Sequence, residues 1–112
     1  MEKKYFIDRD FFCPSGNFFY GDMDWENDIE ETICDSIDEG IENIKYEIDE
    51  CGGYETDDIV IYSIVEGAYD EGYDEWVCPH PSERKSVYKI IVCNEETAKK
   101  HSLSANEYYP KK

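Results

Sequence analysis

A regular row of carboxylates is the feature of this sequence with the clearest chemical potential. Its members recur three or four residues apart, with one interruption at Lys45 and Tyr46, and they are Asp24, Asp28, Glu31, Asp35, Asp38, Glu42 and Asp49. On a helix this spacing places them on one side. Like charges at such spacings each cost a few tenths of a kcal/mol, so helix stability does not explain the row. Carboxylates in this arrangement attract cations or basic protein surfaces.

A second acidic group contains tyrosines. The segment from Tyr69 to Glu75 reads YDEGYDE, and its candidate partner-binding residues are Asp70, Glu71, Tyr73, Asp74 and Glu75. Exposed tyrosines beside carboxylates are typical of a protein interface, because Tyr contributes contact area and Arg can stack on its ring. The alternative is a hairpin loop whose tyrosines only cover the edge of the core.

Metal binding and catalysis have weaker support. The alternating acids of residues 22–28 resemble a calcium loop, but the sixth position is Asn27 instead of Gly and the twelfth is Ile33 instead of Glu. Residues 78–80 form a zinc half-site without a second ligand pair. Residues 82–85 match S-x-x-K without its partner motifs. We therefore predict no metal site, no cofactor and no catalytic activity.

The negative charge is concentrated in the middle of the chain. The sequence has 28 acidic and 11 basic residues and a formal net charge of -17, and residues 22–75 carry 21 of the acids with Lys45 as their only Lys or Arg. Such a field repels nucleic acid and anionic membranes. Because 10 Tyr and 5 Phe accompany an ordinary apolar content, the charge does not indicate disorder.

One long helix is predicted to position the carboxylate row. Six isoleucines recur at three- and four-residue spacing, which is the pattern of a single apolar stripe, and they are Ile29, Ile33, Ile37, Ile41, Ile44 and Ile48. We predict one amphipathic helix from Asp22 to Glu50, ended by Gly52 and Gly53.

A small sheet is predicted from β-branched and aromatic runs. Residues 58–66 and 87–93 have the composition of buried strands. Residues 4–20 predict a strand, a turn and a short second strand, and residues 73–78 a third. The predicted fold class is α+β, with one long amphipathic helix packed across a small, mainly antiparallel sheet of about three to five strands.

The length predicts a single domain over residues 1–112, with a short helical turn at residues 95–100 and an irregular tail from about residue 102. No apolar run has the length of a signal peptide or of a membrane span. Five cysteines without close pairing are read as reduced thiols. We therefore expect a cytoplasmic protein that does not interact with membranes.

In size and charge the chain resembles the DNA-mimic inhibitors that phages and mobile elements make against restriction or CRISPR nucleases. The resemblance rests on the acidic row and the total charge, not on a motif. It implies an anti-CRISPR or anti-restriction type of protein that mimics nucleic acid, blocks a basic nucleic-acid-binding partner such as a nuclease effector, and does not itself bind nucleic acid. An acidic immunity or antitoxin protein is the first alternative, and a small enzyme or metal-binding protein is the second. A solvated acidic face without a partner also fits the pattern.

Overall fold

The structure is a computed structural model that describes residues 3–21, 33–50 and 58–110. The strands are β1 Tyr5–Cys13, β2 Phe18–Gly21, β3 Ile59–Glu66, β4 Ala68–Asp70, β5 Glu75–Val77, β6 Ser86–Val92 and β7 Glu107–Tyr108. The helices in this part of the chain are α1 Ile37–Glu50 and α2 Glu95–Lys100, and a 3-10 turn covers Pro81–Glu83. No helix among these residues is long and apolar enough to cross a membrane.

The main sheet has five strands in the order β2-β1-β3-β6-β7. Neighbours are antiparallel except β6 and β7, which are parallel. Strand β3 lies at the centre and is buried from Ile59 to Val65, as its continuous β-branched run predicts. The expectation of a mixed helix and sheet fold with up to five strands in the sheet is confirmed for the described ranges.

The first hairpin follows the sequence prediction. Strands β1 and β2 pair from Asp10 opposite Gly21 to Cys13 opposite Phe18. The turn between them ends at Asn17, whose φ of 52° lies in the left-handed region that Asn tolerates.

Apolar residues fill both faces of the sheet, because successive strand residues point to opposite sides. One buried cluster contains Ile7, Cys34, Ile44, Val60, Tyr62, Ile64, Ile90 and Val92. The other contains Phe12, Ile59, Ile61, Ile91, Cys93 and Ala98. Helix α1 therefore contributes Ile44 to the first cluster, and α2 contributes Ala98 to the second.

The predicted continuous helix from Asp22 to Glu50 is wrong over residues 33–36. Cys34 instead exchanges two backbone hydrogen bonds with Tyr5, at 2.9 and 2.8 Å. The Ser36 hydroxyl accepts a hydrogen bond from the Glu39 amide at 3.1 Å, and the Glu39 carboxylate accepts one from the Asp35 amide at 3.0 Å. This reciprocal cap begins the helix at Ile37. Residues 22–32 of the predicted helix lie outside the described ranges.

Two further segments differ from expectation in their pairing. The strand expected at residues 73–78 is β5, which pairs with β4 in a separate two-stranded sheet instead of joining the main sheet. The segment expected to be irregular contains β7, which pairs in parallel with Ile90 and Ile91. The short helix expected at residues 95–100 is present as α2.

Candidate functional site

Three members of the carboxylate row lie on helix α1. Asp38, Glu42 and Asp49 are all exposed, whereas Ile44 between them is only 1% exposed. Asp35 is exposed too, but it precedes the helix and forms an ion pair with the Lys4 side chain. The remaining members, Asp24, Asp28 and Glu31, lie outside the described residues.

Helix α1 carries acids at both of its ends. Asp38 and Glu39 in the first turn suit the positive end of the helix dipole. The last turn contains no Lys or Arg, and it ends in Asp49 and Glu50, where the dipole disfavours negative charge. The charge at this end therefore does not serve the helix itself.

Lys45, the one base on α1, is occupied by the end of the chain. Its ammonium lies 3.5 Å from the Glu107 carboxylate and 5.7 Å from the centre of the Tyr109 ring. A side-chain hydrogen bond with Tyr109, helped by the negative charge of Glu107, raises the pKa of Lys45. The positive charge that interrupts the row is thereby paired with a residue of β7. Tyr46 beside it is 69% exposed.

The β4–β5 hairpin presents aromatic and acidic residues on different faces. Tyr69 lies opposite Trp76, and their ring centres are 5.5 Å apart in an edge-on contact. Asp70 lies opposite Glu75, so two carboxylates form a directly opposed pair, an arrangement that destabilises a hairpin. Successive strand residues point to opposite faces, so the rings and these carboxylates are separated.

The turn of this hairpin is exposed throughout. It spans residues 71–74, and Tyr73 within it has 79% of its surface exposed. The Asp70 carboxylate accepts a hydrogen bond from the Gly72 amide at 2.9 Å, and Asp74 has a φ of 52°. These local features shape the turn and leave the Tyr73 ring exposed.

The base of the hairpin and the start of α1 lie at the same end of the sheet. The Lys4 carbonyl accepts a hydrogen bond from the Gly67 amide at 2.8 Å, directly before β4. The next residue, Tyr5, forms the bridge to Cys34 just before α1. Both acidic elements are thus attached to the same short segment of the chain.

A partly buried ion pair between α1 and β1 was not predicted from the sequence. Arg9 and Glu47 are 2.5 Å apart with side chains 12% and 16% exposed, and Arg9 lies opposite the fully buried Tyr62 in the sheet. Burial raises the pKa of the Glu47 carboxyl, although Arg9 and a hydrogen bond from Tyr62 act in the opposite direction. The available signal in the sequence is the position of Glu47, three residues after Ile44 and one before Ile48.

The histidine of the half-site at residues 78–80 has a structural role in its loop. The His80 Nδ1 atom lies 2.8 Å from the Ser82 hydroxyl and accepts a hydrogen bond from the Ser82 amide at 3.3 Å, which caps the 3-10 turn. Arg84 then fixes this loop through the Pro79 carbonyl and the Asp8 carboxylate, each at 3.0 Å. Among the residues that the structure describes, no three His, Cys, Asp or Glu side chains converge as a metal site would require.

The sequence matches no protein-family model and no curated protein, and the fold matches no solved structure. The interpretation of the site therefore depends on its own geometry and charge.

Proposed function

We propose that this chain is an acidic inhibitor that binds a basic nucleic-acid-handling protein by mimicking nucleic acid. The observation that carries the proposal is the exposure of Asp38, Glu42 and Asp49 on α1, where Lys45 is paired with Glu107. The partner would be a nuclease effector of the kind that restriction or CRISPR systems use. The setting would be the cytoplasm, and the chain would not itself bind nucleic acid.

The spacing of the charges supports mimicry. Asp38 and Glu42 are separated by about 6 Å along the helix axis, from a rise of 1.5 Å per residue. Measured along the axis of duplex DNA, the phosphates of one strand are about 3.4 Å apart, so the negative charges of the helix are sparser than those of DNA but of the same order. Carboxylates at this spacing would pair with the Lys and Arg side chains that otherwise hold phosphates.

The proposal includes a placement for α1, as an amphipathic helix laid across one face of the sheet with its acids directed away. Its support is the burial of Ile44 within the cluster that includes Val60, Tyr62 and Ile64 of β3. Gly40, which lies one turn before Ile44, is also buried. Held in this way, the acidic side would meet a partner as a rigid surface.

The experiment removes three negative charges from α1 and compares the effect on partner binding with that of removing three negative charges elsewhere in the chain. The test variant is Asp38→Asn, Glu42→Gln and Asp49→Asn, all at exposed positions on α1. The control variant is Glu83→Gln, Glu95→Gln and Glu96→Gln, which removes the same charge from exposed positions outside α1 and the β4–β5 hairpin. Tagged proteins are used to capture partners from host lysate at low and high salt, with and without competing duplex DNA.

We expect the wild type and the control variant to retain a nucleic-acid-binding protein that salt and duplex DNA both release. The helix variant should lose most of this capture, since each neutralised contact removes part of a salt-dependent attraction. Capture that is equal for the helix and control variants, or that neither salt nor DNA affects, would contradict the proposal.

A further inference from the structure

The β4–β5 hairpin carries features that a solvated acidic loop does not need. A two-stranded hairpin is at best marginally stable in water on its own. This one additionally opposes Asp70 with Glu75 and keeps Tyr73 exposed. The segment from Gly67 to His80 contains no Lys or Arg of its own. Its features are therefore costly to the fold and suited to contact with another molecule.

We propose that this hairpin anchors the complex by entering a cleft of the partner protein that is lined with arginine side chains. The inference rests on the proposed function and identifies the chemistry that gives it selectivity. On one side of the hairpin, Asp70 and Glu75 would share a cation, which relieves the repulsion between them. On the other side and at the tip, the rings of Tyr69 and Tyr73 would receive the flat faces of guanidinium groups.

Arginine fits this surface better than lysine. The guanidinium group is planar, stacks on aromatic rings and forms paired hydrogen bonds with carboxylates, whereas the lysine ammonium is a compact, strongly hydrated charge. Net charge alone would attract both residues about equally, and paired hydrogen bonds with carboxylates give arginine an advantage at any acidic surface. The rings Tyr69 and Tyr73, which are 42% and 79% exposed, should add the part of the preference that is specific to this hairpin.

The experiment measures the dissociation constants of deca-arginine and deca-lysine peptides for the whole protein by titration calorimetry at low salt. The two peptides have the same charge, so the general electrostatic attraction cancels in their ratio. The test variants are Tyr73→Leu, at the exposed tip, and the double variant Tyr69→Leu with Tyr73→Leu. The matched control is Phe19→Leu, a ring on β2 that is 60% exposed and lies outside both α1 and the hairpin. Amide NMR spectra establish folding and show which residues the peptides contact.

We expect the wild type and Phe19→Leu to bind deca-arginine about five to ten times more tightly than deca-lysine, from the usual strength of exposed cation–π contacts. The double variant should reduce this preference to below about twofold, with Tyr73→Leu in between. Peptide-induced NMR shifts should include residues 68–77.

Two results would overturn the inference in distinguishable ways. If both peptides bind the wild type equally, or if the double variant keeps the preference, the hairpin is not an arginine anchor, while binding through negative charge survives. If neither peptide binds at low salt, the proposed function fails as well, because an acidic binding surface must attract either peptide.

Discussion

The contact between Gly40 and Ile64 offers a direct test of how closely α1 approaches β3. A methyl group added at Gly40 would meet the Ile64 Cδ1 atom at 2.8 Å, closer than such atoms approach in proteins. Replacing Gly by Ala in a helix gains about 1 kcal/mol. Overpacking a buried site costs about 1–3 kcal/mol. We therefore expect Gly40→Ala to destabilise the protein by about 1 kcal/mol, the difference between these terms.

Ile64→Val should convert that loss into a gain, because it removes the Cδ1 atom. Alone it should cost about 0.5–1.5 kcal/mol. In its presence the nearest remaining Ile64 contact of the new methyl group would be at 3.3 Å, a distance that a small shift relieves. Gly40→Ala should then be neutral or stabilise by up to about 1 kcal/mol, so the two changes should couple favourably by about 1–2 kcal/mol.

Urea unfolding of the wild type, both single variants and the double variant measures this coupling, provided that the dependence on urea is unchanged. Strict additivity would refute the reasoning, because it would mean that the helix does not approach Ile64 as closely as described. A Gly40→Ala variant that is more stable than the wild type in both backgrounds would do the same.

The remaining predictions concern individual side chains of α1. Ile44→Ala should lower the free energy of unfolding by about 2–5 kcal/mol because Ile44 is only 1% exposed, whereas Glu42→Ala at an exposed position should change it by less than about 0.5 kcal/mol. Urea unfolding compares the two variants, and equal losses would contradict this difference in burial. Since the folded-state pKa of Glu47 is raised, its stabilising contribution is present below its unfolded pKa and is lost as pH rises through the folded value. The free energy of unfolding of Glu47→Gln relative to the wild type should therefore increase progressively from about pH 4 to about pH 7. A difference between the two proteins that stays constant over this range would show that burial does not control this carboxyl.

The strands of the main sheet could be read from the sequence because their signals are local. The β-branched run in β3 is continuous, as expected for a strand buried on both faces, and the turn residues before Phe18 mark the first hairpin. The partner of each strand depends on the whole fold. The residues of β5 do not indicate that this strand pairs with β4 outside the main sheet. Likewise, Glu107 and Tyr108 do not indicate that they pair with β6.

The predicted start of α1 is wrong, although a local signal in the sequence marks the correct one. The isoleucine spacing continues unbroken through Ile33 and Ile37, and periodicity alone therefore predicts one helix. The sequence Ser36-Ile37-Asp38-Glu39 is a capping box, which indicates a helix beginning at Ile37. A prediction that follows the capping box instead of the periodicity places Asp35 before the helix.

For the candidate site, the sequence predicts which side chains are exposed better than it predicts which residues they contact. The helical spacing correctly placed Asp38, Glu42 and Asp49 at exposed positions of α1. It gave no indication that Lys45 would pair with Glu107 or that Arg9 would be buried beside Glu47, since these partners come from distant parts of the chain.

The pairing of β1 with β3 has a kinetic consequence. Tyr5 pairs with Glu66 and Phe12 with Ile59, so the intervening chain, including β2 and α1, forms a closed loop once these strands meet. Closing such a loop costs entropy before the ladder repays it, and folds dominated by distant pairings form slowly. Much of the negative charge lies inside this loop, so its mutual repulsion adds to the barrier. The acids that the proposed function assigns to partner binding would thus also oppose the pairing of β1 with β3.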